Sequence, residues 1–155
     1  MAAPERFDRF NDASRDLFIR ARTESLRGTG AVDTEHLLRA VVRSTSGTAH
    51  TVLEHLGVTP ERIETAIAFM DGIGKPPVST DASGLTAAAR AVVENAVAEA
   101  TQLGSASVGP EHLLLGLCAV SEGRASQALT SLGVTLEHAR REVMRVQASR
   151  QAGSE

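Results

Sequence analysis

The chain has 155 residues, 42% of them hydrophobic and 23% charged, which is enough to bury one core of ordinary domain size. A formal net charge of −3, with no Lys/Arg block, leaves no electrostatic footprint for a nucleic-acid backbone. One cysteine cannot close an internal disulfide, and Met1-Ala2-Ala3-Pro4-Glu5-Arg6 lacks a signal peptide's apolar core. No apolar run nears the roughly 18–20 residues that span a bilayer, so a soluble, cytoplasmic protein is expected. Aromatics make up only 3%, four Phe with no Tyr or Trp, while Ala, Leu and Val abound, which favours helix-on-helix packing and an all-α fold.

In chain order, the spacing predicts a first helix over 11–27, with Ala13, Leu17 and Ala21 on one face and Gly28 ending it. A second follows Asp33, and its Leu37, Leu38, Val41 and Val42 mark it as central and strongly buried. A short third ends at Gly57. A fourth opens on Thr59-Pro60-Glu61, a Thr N-cap with an acid in the first turn. Residues 72–84 are rich in helix breakers and read as a linker.

The pattern then repeats. Helices are predicted over 86–103, with Ala89, Val93 and Val97 on one face and Gly104 at the end; after Gly109, with Pro110 at N1 and Leu113, Leu114, Leu117 and Cys118 inward; before Gly133; and from Thr135-Leu136-Glu137. Asp33-Thr34-Glu35-His36-Leu37-Leu38 recurs 76 positions later as Gly109-Pro110-Glu111-His112-Leu113-Leu114, and Leu56-Gly57-Val58-Thr59 as Leu132-Gly133-Val134-Thr135. Residues 15–24 match 90–99 at an offset of 75, a one-residue change in the loop before the Glu-His pair. The organisation read from this is one domain over 7–148, built of four-helix repeats 7–71 and 85–148 around the linker, with a frayed tail over 149–155.

Catalytic patterns fail. Gly74-Lys75 lacks the glycine and hydroxyl of a phosphate loop, since Phe69 and Pro76 stand there, and 104–109 lacks the spacing of a serine nucleophile elbow. His50 and His55 are five apart, where helical metal pairs need three or four, and Cys118 reads as core packing. No enzyme activity, metal or cofactor is expected. The duplicated Glu-His pair stands out. Glu35 and Glu111 suit a helix's first turn electrostatically, with His36 and His112 bonding locally, and this is sufficient explanation. The functional alternative is an exposed carboxylate in each repeat, beside helix N-termini that attract anions, receiving a ligand with both cationic and anionic groups.

Phe7-Asp8-Arg9-Phe10-Asn11, the paired Glu-His-Leu-Leu segments, Gly116-Leu117, Glu122-Gly123 and the recurring Leu-Gly-Val together resemble the N-terminal repeat domain of Clp-family ATPases, nearest the ClpC type, from about residue 7 to 146. The resemblance implies eight helices in two pseudo-symmetric four-helix repeats, and a domain that docks adaptors and substrates ahead of ATPase modules absent from this chain. It also implies phosphoarginine binding, with a glutamate of each repeat on the guanidinium and a threonine at each first helix near the phosphate. Those positions match Glu35, Glu111 and Thr86, with Asn11 in place of the first threonine. Asp33 adds negative charge near the would-be phosphate of the first site, so the expected better site pairs Thr86 with Glu111.

Some ClpC-type domains also bind macrocyclic peptide antibiotics over an apolar patch at the start of the two first helices. Phe7 keeps an aromatic there and Leu85 replaces one. Three roles follow from the resemblance: a stand-alone recognition module working with Clp unfoldase components, adaptors or arginine-phosphorylated proteins; the front domain of a full ClpC-type ATPase; or a decoy that sequesters cyclic peptide antibiotics.

Overall fold

The computed structural model describes residues 8–45, 47–71, 79–80 and 84–153. Eight helices form among them: α1 (Asp12–Ser25), α2 (Thr34–Val42), α3 (Gly47–Leu56), α4 (Pro60–Asp71), α5 (Ala87–Gln102), α6 (Pro110–Ala119), α7 (Arg124–Ser131) and α8 (Leu136–Gly153). Helices α1 to α4 form repeat one and α5 to α8 repeat two, as the internal duplication requires.

The predicted helix ends are set by their side chains. Asn11 Oδ1 accepts from Ser14 N at 3.0 Å, Thr86 Oγ1 from Ala89 N at 3.1 Å, Thr59 Oγ1 from Arg62 N at 3.2 Å and Thr135 Oγ1 from His138 N at 3.2 Å. Each satisfies a first-turn N–H that the helix leaves open. Gly57 and Gly133 follow α3 and α7 with φ of +73° and +81°, a left-handed turn that β-carbon-bearing residues resist.

The repeats are not stacked side by side. Central helices α2 and α6 meet, while α3 packs on α8 and α4 on α7, each pair drawn from different repeats. One apolar cluster runs through both, with Leu37, Leu38, Val41, Leu113, Leu114 and Leu117 at its centre. Where α5 crosses α6, Gly116 lets the backbones close up. A Cβ there would collide with Val92 O and lie 3.2 Å from Ala96 N.

Two short parallel bridges lock the exchange. Phe10 pairs with Val108, and Val32 with Leu85, so the segment entering each first helix lies against the loop entering the other repeat's second helix. The bonds are Asn11 N to Val108 O at 3.0 Å, Val108 N to Arg9 O at 2.8 Å, Val32 N to Gly84 O at 2.9 Å and Thr86 N to Val32 O at 3.0 Å. Arg9 reinforces the first bridge by donating to Thr101 Oγ1 and Ser105 O.

Several expectations are corrected. On α1 the buried residue is Ser14 and Ala13 is exposed, because Ser14 Oγ donates to Val108 O across the bridge at 2.9 Å. Gly30, not Gly28, takes the left-handed turn after α1, its N–H reaching back to Ser25 O. Helix α8 continues to Gly153 through most of the stretch read as a frayed tail, since Ala148, Arg150 and Ala152 are good helix formers. Most of the expected linker, 72–78 and 81–83, lies outside the described residues; Thr80 bridges to Thr86.

Gly116→Ala should destabilise the protein by about 2 kcal/mol, because backbone rather than a flexible side chain blocks the added methyl group. Urea unfolding checks this, and an unchanged midpoint would show that α5 and α6 are not in close contact.

Candidate functional site

The duplicated Glu-His pair occupies the same two positions at each second-helix start. Asp33 caps α2 and Gly109 precedes α6, which makes Glu35 and Glu111 the second helical residues and His36 and His112 the third. Each histidine Nδ1 accepts from the backbone N–H at the cap position, Asp33 N and Gly109 N, both at 2.9 Å. A third-position side chain reaching back to the cap N–H is half of a capping box, so the local reading of the histidines holds.

The reciprocal bridges decide which candidate residues meet. Thr86, which starts α5, comes to the start of α2, where its hydroxyl donates to Asp33 Oδ1 at 2.9 Å. Asn11, which starts α1, comes to the start of α6. A Cβ on Gly109 would collide with Glu111 Oε1 and stand 3.1 Å from Asn11 Nδ2. The constellations are therefore Thr86 with Asp33 and Glu35, and Asn11 with Gly109 and Glu111. The pairing of Thr86 with Glu111 expected from the resemblance is replaced by this crosswise grouping.

The two constellations differ in occupancy by the protein itself. Asp33 Oδ1 accepts from Thr34 N at 2.8 Å as well as from Thr86, and the Thr86 hydroxyl also accepts from Ala89 N. Glu35 is 2% exposed, with Oε2 3.9 Å from Arg39 Nη1. The expectation of an exposed carboxylate in each repeat thus fails in repeat one, where packing covers it. Glu111 is half-buried, with Gln147 Nε2 donating to its Oε2 at a long 3.4 Å, and Asn11 is exposed. Gly109 has no side chain, and the Glu111 carboxylate lies where its Cβ would stand.

Leu85 is 6% exposed and packs into the common core beside Val32, so it presents little surface to a ligand; Phe7 lies outside the described residues. Cys118 is half-buried and its thiol is pushed up to about 12, first by desolvation and then by Glu99, which leaves it protonated at neutral pH. One participant escaped the sequence reading. Thr34 Oγ1 accepts from Ala125 N at 3.3 Å and so serves the first turn of α7, whose own cap Gly123 has no side chain.

The fold defines a class, a two-repeat all-α domain in which each repeat's entry segment lies against the loop before the other's second helix. The sequence matches the Clp repeat (R) N-terminal domain over residues 9–132 and again over 84–154, and the chain belongs to that family. It is 36% identical over 149 residues to the negative regulator of genetic competence ClpC/MecB of Bacillus subtilis (strain 168), covering 96% of this chain and 18% of that one. It is 35% identical over 147 residues to the chaperone protein ClpB of Oceanobacillus iheyensis, covering 94% and 18%. The chain thus spans about a fifth of these relatives' length.

Among solved structures, the N-terminal domain of the chaperone ClpD from Arabidopsis thaliana superposes with a TM-score of 0.65 at 22% identity, over 90% of this chain and 94% of that one. The Hsp104 N-terminal domain from Candida albicans gives 0.67 at 15%, over 90% and 92%. At these identities the likeness establishes the fold alone. Among the described residues, no helix is long and apolar enough to cross a membrane.

His112 yields a pH prediction. It is 1% exposed, and among the described residues its Nε2 has no hydrogen-bond partner. Desolvation holds its pKa below the usual 6.5, against the attraction of Glu111 and Glu99 and with a smaller downward push from Arg9. With Nδ1 accepting from Gly109, the neutral ring carries its proton on Nε2. The unfolded chain then binds a proton more readily than the folded one, so this contribution to stability is present above pH 6.5 and lost as pH falls towards the folded value. Denaturant midpoints measured between pH 7.5 and 5 should fall on acidification, and the slope should flatten in His112→Asn. An identical slope in both proteins would assign the acid loss to other groups.

Proposed function

We propose that this chain is a non-catalytic recognition domain serving a Clp-type unfoldase, and that it captures proteins or peptides carrying phosphoarginine through one site, built from Asn11, Gly109 and Glu111. The supporting observation is the difference between the two helix starts. At Gly109 no cap side chain is present, and the Glu111 carboxylate and the Asn11 amide lie against its backbone; at Asp33 the cap carboxylate takes the Thr86 hydroxyl.

The chemistry of this site suits the ligand. A guanidinium donates in a fork that a carboxylate such as Glu111 accepts. The Asn11 amide and the first N–H groups of α1 suit a phosphate attached to that guanidinium. In this reading Glu35 and Thr86 are structural. The role is the same for a domain acting alone and for one that precedes ATPase modules.

Calorimetric titration with a phosphoarginine peptide should give one site per chain, and its unphosphorylated twin should give no heat. Glu111→Ala should weaken binding at least about tenfold through loss of a charge-assisted pair, while Glu35→Gln should leave it within about twofold. Asp33→Gly should leave the stoichiometry at one, because Glu35 is buried in repeat one. Silence of the unmodified protein, or equal loss in the Glu35 and Glu111 variants, would overturn the single-site reading.

A further inference from the structure

Further along the same helices, α1 and α2 part to leave a groove of about 250 Å³. Ala40 forms part of it, where repeat two has Gly116 and the backbones of α5 and α6 close up. The walls differ between repeats as well. Ile19, Arg20, Thr23, Arg39 and Arg43 become Glu94, Asn95, Ala98, Leu115 and Ala119 in repeat two. The cationic, partly apolar groove is therefore a property of repeat one and not a by-product of the fold.

Ile19 is 64% exposed on its rim, and Leu26, seven residues on along α1, is 66% exposed. That spacing lays both on one side of the helix, about 10 Å apart. Arg20 lies on the α1 wall, and Arg39 and Arg43, one turn apart, on the α2 wall. Arg39 Nε donates to Glu64 Oε1 at 2.8 Å, and Arg43 shares that oxygen at 3.8 Å while its side chain stays 53% exposed. The carboxylate of the lining, Glu24, sits 3.5 Å from Arg27, which is outside the groove. The Arg43 contact with Glu64 is long and exposed and holds weakly in water, so the guanidiniums of Arg20 and Arg43 can receive carboxylates from both walls.

We propose that this groove docks an acidic amphipathic helix of a partner protein. Its apolar residues, one heptad apart, lie on Ile19 and Leu26, and its carboxylates reach Arg20 on one wall and Arg43 on the other. The net charge of −3 makes the selectivity diagnostic: the protein as a whole repels an acidic peptide, so preference for one must come from this local field.

Fluorescence anisotropy with a labelled 16-residue helical peptide, leucines at i, i+3, i+4 and i+7 flanked by glutamates, tests the proposal against a twin with lysine at every glutamate. The acidic peptide should bind the unmodified protein and the lysine twin should not. The pair Arg20→Glu and Arg43→Glu should weaken the acidic peptide at least tenfold and admit the lysine twin, and Ile19→Asp should also weaken it. Glu111→Ala should bind as the parent does, which separates this surface from the helix-start site. These side chains are exposed, and a circular dichroism melt of each variant confirms folding. Equal binding of the two peptides, binding of neither, or binding indifferent to these substitutions would overturn the proposal.

Discussion

Everything distinctive in this domain depends on the two reciprocal bridges, Phe10 to Val108 and Leu85 to Val32. A repeat whose second helix is hydrophobic on most of its surface cannot bury that surface by itself. Exchanging the entry segments brings α2 against α6 and lays α3 on α8 and α4 on α7, so one core serves both copies. The exchange has a chemical consequence. It sets the cap of each first helix beside the opening turn of the other repeat's second helix, and every helix-start constellation is assembled from both halves of the chain.

Duplication supplies two such constellations, and small changes make them unlike. An aspartate at one cap position satisfies N–H groups and a threonine hydroxyl, and is a better helix cap than glycine. The glycine at the other lets the Glu111 carboxylate and the Asn11 amide approach the backbone. Small changes also act along the helices, where Gly116 closes α5 on α6 and Ala40 stands at the matching position of repeat one. Repeat one carries its arginine-lined groove there, and repeat one has a side-chain cap where repeat two has glycine.

Helix count, order and ends were legible because their signals are local. Thr59 and Thr135 announce helix starts, Gly57 and Gly133 helix ends, and the pattern around Leu37 and Leu113 marks buried helices. Glu35 and Glu111 were legible as candidates through their repetition. What could not be read was long-range. Ser14 replaces Ala13 in the interior only because Val108 O lies across the bridge. The burial of Glu35 follows from packing around it, and the partnership of Thr86 with Asp33, 53 residues apart, follows from the exchange of segments. The resemblance suggests sites within a repeat, whereas the fold builds them between repeats.

The proposed crossed site is most directly tested by amide chemical-shift mapping of the isotopically labelled protein during titration with free phosphoarginine. Perturbations should fall on two segments far apart in sequence, the first turn of α1 after Asn11 and the turn Gly109 to His112, and should leave the amides around Asp33 and Thr86 in place. Shifts at the start of α5 together with those at the start of α6, with α1 silent, would contradict the crossed site.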